Sequence, residues 1–123
     1  MAREPLFVLN RMIVVLLPKT PMIEWVNRIF SDVADPVTFE QAREDPSAFL
    51  IPVRLDEFDT PGVRWMRRNW SVLFDRMLKD WCQDESLWPR TRTRKMFDQW
   101  CEIREHSVVL DCVDDPLEYG DED

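Results

Sequence analysis

The strongest constraint on the fold is one short run, Arg11-Met12-Ile13-Val14-Val15-Leu16-Leu17, closed by Pro18. Its residues are apolar at odd and even positions alike and rich in branched side chains, the signature of an extended segment buried on both faces. It is far shorter than the roughly 20 residues that span a bilayer, and no small-residue cleavage site succeeds it. The run therefore reads as a central strand, and the rest of the chain must be organised to cover it.

The segments C-terminal to the run supply the cover. Thr20-Pro21 pairs a capping residue with a proline at the start of a helix, and Met22, Trp25, Val26, Ile29 and Phe30 recur at the helical interval. After the break at Asp35-Pro36, Thr38-Phe39-Glu40-Gln41 has the form of a capping box, and Asp45-Pro46 ends that short helix. Ser47 to Arg54 reads as a second strand with Phe49, Ile51 and Val53 on one face; Pro52, which cannot donate to a ladder, puts it at an edge or bulge. Asp59-Thr60-Pro61 opens a long helix whose stripe runs through Val63, Met66, Trp70, Leu73, Phe74, Met77, Leu78 and Trp81. Trp65 and Val72 lie off that stripe and either widen the buried face or form an exposed apolar strip. A further helix is expected from about Thr91 to Arg104, burying Met96, Phe97, Trp100 and Ile103, and Ser107 to Val113 reads as the last strand with Val108, Leu110 and Cys112 inward.

These elements predict an α/β (α+β two-layer) fold: a three-stranded, mostly parallel sheet of order 2-1-3, packed by about four helices, with right-handed crossovers between strands. A chain of 123 residues suits one domain. The expected division is a single domain over 1–115 and an acidic, disordered tail over 116–123.

Composition narrows the function. Two glycines against nine prolines remove glycine-rich phosphate loops and Rossmann turns. The net charge is −8, and Asp111, Asp114, Asp115, Glu118, Asp121, Glu122 and Asp123 account for nearly all of it. The remainder is near neutral, so a broad basic face for nucleic acid has little support. Cys82, Cys101 and Cys112 are odd in number and lack zinc spacing, which disfavours both a disulfide framework and structural zinc, and favours a reducing compartment such as the cytoplasm.

Few residues suggest chemistry. His106, the one histidine, has Glu105 beside it, but neighbours on a strand point to opposite faces and no nucleophile motif accompanies it. Asp84 and Glu85 are adjacent loop acids; a metal would need further ligands such as Asp56, Glu57 or Asp59, and helix capping or solvation is the favoured account of them. No catalytic residue, metal ligand or cofactor is assigned.

The densest positive cluster is Arg90, Arg92, Arg94 and Lys95, beside Trp88 and near a helix start. Cations there oppose the helix dipole, so local stability does not explain them. Trp88 with Arg90 and Arg92 offers a stacking face and bidentate donors to an anionic group or an acidic partner segment. The plainer reading is a surface that pairs with Asp84, Glu85 or the chain's own acidic end.

Several segments together, Asn10 to Lys19, Phe49-Leu50-Ile51-Pro52, Asp84-Glu85-Ser86-Leu87-Trp88-Pro89 with Arg92-Thr93 and Phe97-x-x-Trp100, and His106 to Asp111, resemble a family of small proteobacterial proteins with no established activity. The resemblance implies a bacterial cytoplasmic α/β domain and carries over no catalytic residue, cofactor or ligand.

Three functions stay open. The first is a noncatalytic protein-interaction or regulatory module using the Trp/Arg surface near residues 84–95, with Trp88, Arg90, Arg92, Asp84, Glu85 and His106 as candidate contacts and another protein as partner. The second is a small-molecule binder or enzyme with a cleft lined by Trp81, Trp88, Arg92 and His106. The third is an acidic mimic of nucleic acid.

Overall fold

A computed structural model describes residues 7–52 and 61–120. Along the chain run β1 (Phe7–Val8), β2 (Arg11–Pro18), α1 (Thr20–Ile29), α2 (Phe39–Ala42), β3 (Ser47–Pro52), α3 (Pro61–Trp81), a single 3-10 turn (Glu85–Leu87), α4 (Arg94–Trp100), β4 (Cys101–His106) and β5 (Leu110–Asp111). The fold is α+β, a three-stranded sheet β3-β2-β4 packed by helices, with β1 and β5 forming a separate two-stranded ribbon.

The apolar run is the middle strand, but its burial alternates. Met12, Val14 and Leu16 are buried against the helices while Ile13 and Val15 on the other face are half-buried. Each inward side chain contributes about 2 kcal/mol of transfer free energy. An antiparallel sheet tolerates one partly open face, which removes the need for cover on both sides.

Both flanking strands run antiparallel to β2, with Arg11 opposite Pro52 and Leu16 opposite Ser47 on one side, and Ile13 opposite His106 and Pro18 opposite Cys101 on the other. The expected order, with the first strand in the centre, holds; the mostly parallel sheet is corrected, and only β3 and β4, which run the same way on either side of β2, are joined by a crossover. A parallel neighbour would have to enter at the Arg11 end, whereas β3 and β4 both enter at the Pro18 end. After α1, the side chain of Asn27 holds the backbone of Val37 through bonds of 2.8 and 3.0 Å, folding the chain back along the helix. Arg43, just past α2, then donates to the Pro18 carbonyl at 3.0 Å and to Glu102 at 2.7 Å, and lies over the Phe39 ring. On the other side the Lys19 amide donates to the Trp100 carbonyl at 2.8 Å, fixing where β4 begins.

That contact also corrects the last helix and strand. The helix expected over Thr91–Arg104 spans only Arg94–Trp100, because Cys101 adopts extended dihedrals and pairs with Pro18. The strand expected over Ser107–Val113 is replaced by β4 at Cys101–His106. Only Leu110 and Asp111 of the predicted stretch are in a strand, β5, opposite Val8 and Phe7. Val108 and Leu110, expected inward, are 68% and 46% exposed. Spacing alone misled here, since Cys101 and Ile103 suit a strand as well as the continuation of the Phe97, Trp100 helical stripe.

The helices behave closer to expectation. The Thr38–Gln41 capping box is present in both directions, at 3.0 and 3.1 Å. Helix α1 starts at Thr20, the residue expected to cap it, so that Lys19 takes the capping position and there is no side-chain cap. Helix α3 is interrupted at Asn69, whose dihedrals are non-helical and whose side-chain amide donates to the Trp65 carbonyl at 3.0 Å. Trp65 packs against the core and Val72 is 63% exposed, so the two off-stripe residues have different fates. Helices α1, α3 and α4 meet through rings: Trp25 and Trp100 at 5.9 Å, Phe74 and Phe97 at 5.6 Å, Phe74 and Trp100 edge-on at 6.0 Å. Val53, the Asp59-Thr60 helix start and the acids Asp56, Glu57 and Asp59 lie outside the described residues.

Candidate functional site

The segment from Cys82 to Thr93 joins α3 to α4 and carries most of the candidate residues. Its first corner is built by Asp84, whose carboxylate accepts from the Ser86 amide at 3.0 Å and hydroxyl at 2.6 Å, capping the 3-10 turn. Those bonds hold the Asp84 carboxyl below its ordinary range. The turn closes with Leu87 and Trp88 amides donating to Asp84 and Glu85 carbonyls, and the Trp25 indole anchors it by donating to the Leu87 carbonyl at 3.1 Å.

Trp88 then turns inward. It is 8% exposed, belongs to the core cluster, and donates its indole N–H to the Cys82 carbonyl at 2.7 Å. The expectation of an indole presented to solvent is corrected: Trp88 closes the loop onto the end of α3, because an apolar ring beside Pro89 gains more from burial than from exposure. Arg92 lies over that ring with its guanidinium 5.5 Å from the centroid, and donates to Asp75 on α3 at 3.0 Å and to the Pro89 carbonyl at 2.9 Å. Its charge is matched by Asp75 on the preceding helix. Thr93 caps α4 by accepting from the Met96 amide at 3.1 Å.

The outcome is a stapled loop. Trp88, Arg92, Asp75 and the two caps hold it rigidly on α3, and from it Arg90, Arg94 and Lys95 project as exposed cations. Among the described residues these three make no ion pair with an acid. Arg94 and Lys95 occupy the first turn of α4, where the helix dipole opposes positive charge. Glu85 is exposed nearby and, with Asp75, Arg76, Lys79 and the edge of Trp88, lines a shallow open depression of about 390 Å³.

The cleft expected from Trp81, Trp88, Arg92 and His106 is not assembled. Trp81 lines a different concavity, beside Leu16 and Pro18, while His106 is exposed at the far end of β4 opposite Ile13. Five residue steps from Cys101 to His106 correspond to about 17 Å of strand. Among the described residues no group of three histidines, cysteines or acids is placed to hold a metal ion. The cysteines are unpaired, Cys82 and Cys101 buried and Cys112 exposed. Burial pushes the Cys101 thiol up to about 12, which keeps it protonated and unreactive at neutral pH.

Sequence reasoning missed Asp75 as the counter-ion that removes Arg92 from the free cations, and Trp25 as the anchor of the turn. Neither has a local signal, since Asp75 lies 17 residues from Arg92 and Trp25 lies 62 residues from Leu87. Among the described residues no helix is long and apolar enough to cross a membrane. Comparison with protein-family models, with curated proteins and with solved structures finds no match for the chain.

Proposed function

We propose that this chain is a noncatalytic protein-interaction module whose contact surface is the cation set Arg90, Arg94 and Lys95, and that its partner presents a short run of carboxylates. One observation carries the reading. Three exposed cations without acidic partners among the described residues stand on a loop fastened by Trp88 and Arg92, and two of them sit where the α4 dipole disfavours them. Local stability does not account for that arrangement, and an anionic partner does. Trp88 and Arg92 then serve as the mount of the surface, Asp84 as the cap that shapes the turn, and His106 lies outside it. A protein is favoured over nucleic acid because three cations in a chain of net charge −8 do not make the broad basic face that neutralising a phosphate backbone requires. Three unpaired cysteines support a reducing compartment such as the cytoplasm.

The test is fluorescence anisotropy with a labelled Glu/Asp-rich peptide and, in parallel, single-stranded DNA of equal charge. The triple variant Arg90→Ala/Arg94→Ala/Lys95→Ala should bind the peptide about tenfold or more weakly, each exposed pair contributing about 0.5–1 kcal/mol, with an unchanged far-ultraviolet spectrum. Equal peptide affinity of parent and variant would overturn the site, and tighter binding of the DNA would overturn the partner class.

A further inference from the structure

A second concavity, separate from the cation surface, lies at the Pro18 end of the sheet. Leu16 and Pro18 of β2, the corner from Ala42 through Asp45 and Pro46 to Ser47, and Met77, Asp80 and Trp81 at the end of α3 enclose about 200 Å³. Leu16, Ala42 and Met77 are buried and form an apolar floor. Trp81 is half-buried, and its indole makes no hydrogen bond among the described residues. Asp80 is held in place by Arg76 at 2.9 Å and by the Ser47 hydroxyl at 3.2 Å. Asp45 is exposed and forms no ion pair among the described residues.

The electrostatics of the rim point one way. Two carboxylates line the concavity and no lysine or arginine does; Arg76 offsets part of the Asp80 charge, and Arg43, which donates to the Pro18 carbonyl, has its own charge matched by Glu102. The last turn of α3 ends at Trp81 and adds the negative end of its dipole. An indole beside carboxylates above an apolar floor suits a planar cation with a short hydrocarbon stem: the stem enters, and the head stays at the rim against the ring and the acids. A cavity of about 150 Å³ already admits benzene, so the volume suits a stem of about four carbons.

We propose that this cavity binds a small alkylguanidinium-type cation, with Asp45 as the principal charge partner, Trp81 as the stacking face and Leu16, Ala42 and Met77 as the floor for the stem. The experiment is a ¹H–¹⁵N correlation titration of the full chain with n-butylguanidinium, with n-butanol as the uncharged match. Saturable shifts are expected at the Trp81 indole and the Ser47 amide, with half-saturation near about 1 mM for a ligand of this size. The Asp45→Asn variant should weaken binding about threefold to fivefold. Ala42→Leu should abolish it by filling the floor, and Asp32→Asn, on the exposed loop after α1, should titrate like the parent. Shifts that grow without saturating, an equal response to n-butanol, or unaltered titration of Asp45→Asn or Ala42→Leu would each overturn the assignment.

Discussion

Replacing Trp88 by alanine separates a residue that mounts a surface from one that forms it. The indole is 8% exposed, and a side chain of this class buries about 200 Å², worth about 5 kcal/mol at about 25 cal/mol per Å². Alanine keeps part of that burial, and the open depression at the ring's edge lets the site relax, which leaves about 3 kcal/mol. Loss of the 2.7 Å bond to the Cys82 carbonyl adds about 1 kcal/mol. The expected destabilisation is about 4 kcal/mol, a large share of the roughly 5–15 kcal/mol that holds a domain folded. Trp88→Phe keeps one aromatic ring but loses the donor and part of the buried indole, so it should cost about 2–3 kcal/mol, less than the alanine variant, and preserve binding of the acidic peptide. Urea unfolding followed by circular dichroism measures both, since six tryptophans prevent assignment of a fluorescence change to one of them. A Trp88→Ala variant that loses less than about 1 kcal/mol, with an unchanged denaturant slope, would refute the mounting role, because that is how an exposed recognition tryptophan behaves.

Three further outcomes are expected from the same structure. Asn27→Ala removes both bonds to the Val37 backbone and should cost about 1–2 kcal/mol in the same unfolding assay; a loss within error of zero would show that the return of the chain along α1 does not depend on them. A thiol reagent applied to the native protein near neutral pH should modify Cys112 rapidly and spare Cys82 and Cys101 until denaturant is added, and modification of all three at one rate would contradict their burial. The Glu102 carboxyl is held below its ordinary 4.5 by Arg43 and then Arg104, so its contribution is present above that value and is lost as pH falls through the lower folded-state pKa. The stability gap between the parent and Glu102→Gln should therefore close on acidification, and a gap independent of pH would refute the pairing.

Local chemistry was legible wherever a segment's fate depends on its own neighbours. The apolar run before Pro18 could only be a core strand, Thr38 with Gln41 could only open a helix, and the stripe from Met66 to Trp81 needed a buried helical face. Pro52 announced an edge strand or a bulge, and among the described residues β3 pairs with β2 alone. Asn69 shows the limit of such reading, because a stripe can continue across a residue whose dihedrals leave the helix and whose side-chain amide bonds back to the preceding turn.

What tertiary structure alone decided is everything that depends on residues meeting across long separations. The direction of both flanking strands rests on Arg43 reaching the Pro18 carbonyl and on Lys19 reaching Trp100. The end of α4 at Trp100 rests on the same pairing, and the fate of the Trp/Arg cluster rests on Asp75, Cys82 and Trp25. Periodicity records which side chains must leave water. It holds no record of which end of a sheet a connection returns to, or of which carboxylate lies opposite a given guanidinium, because those are set by packing of elements whose sequences do not refer to one another.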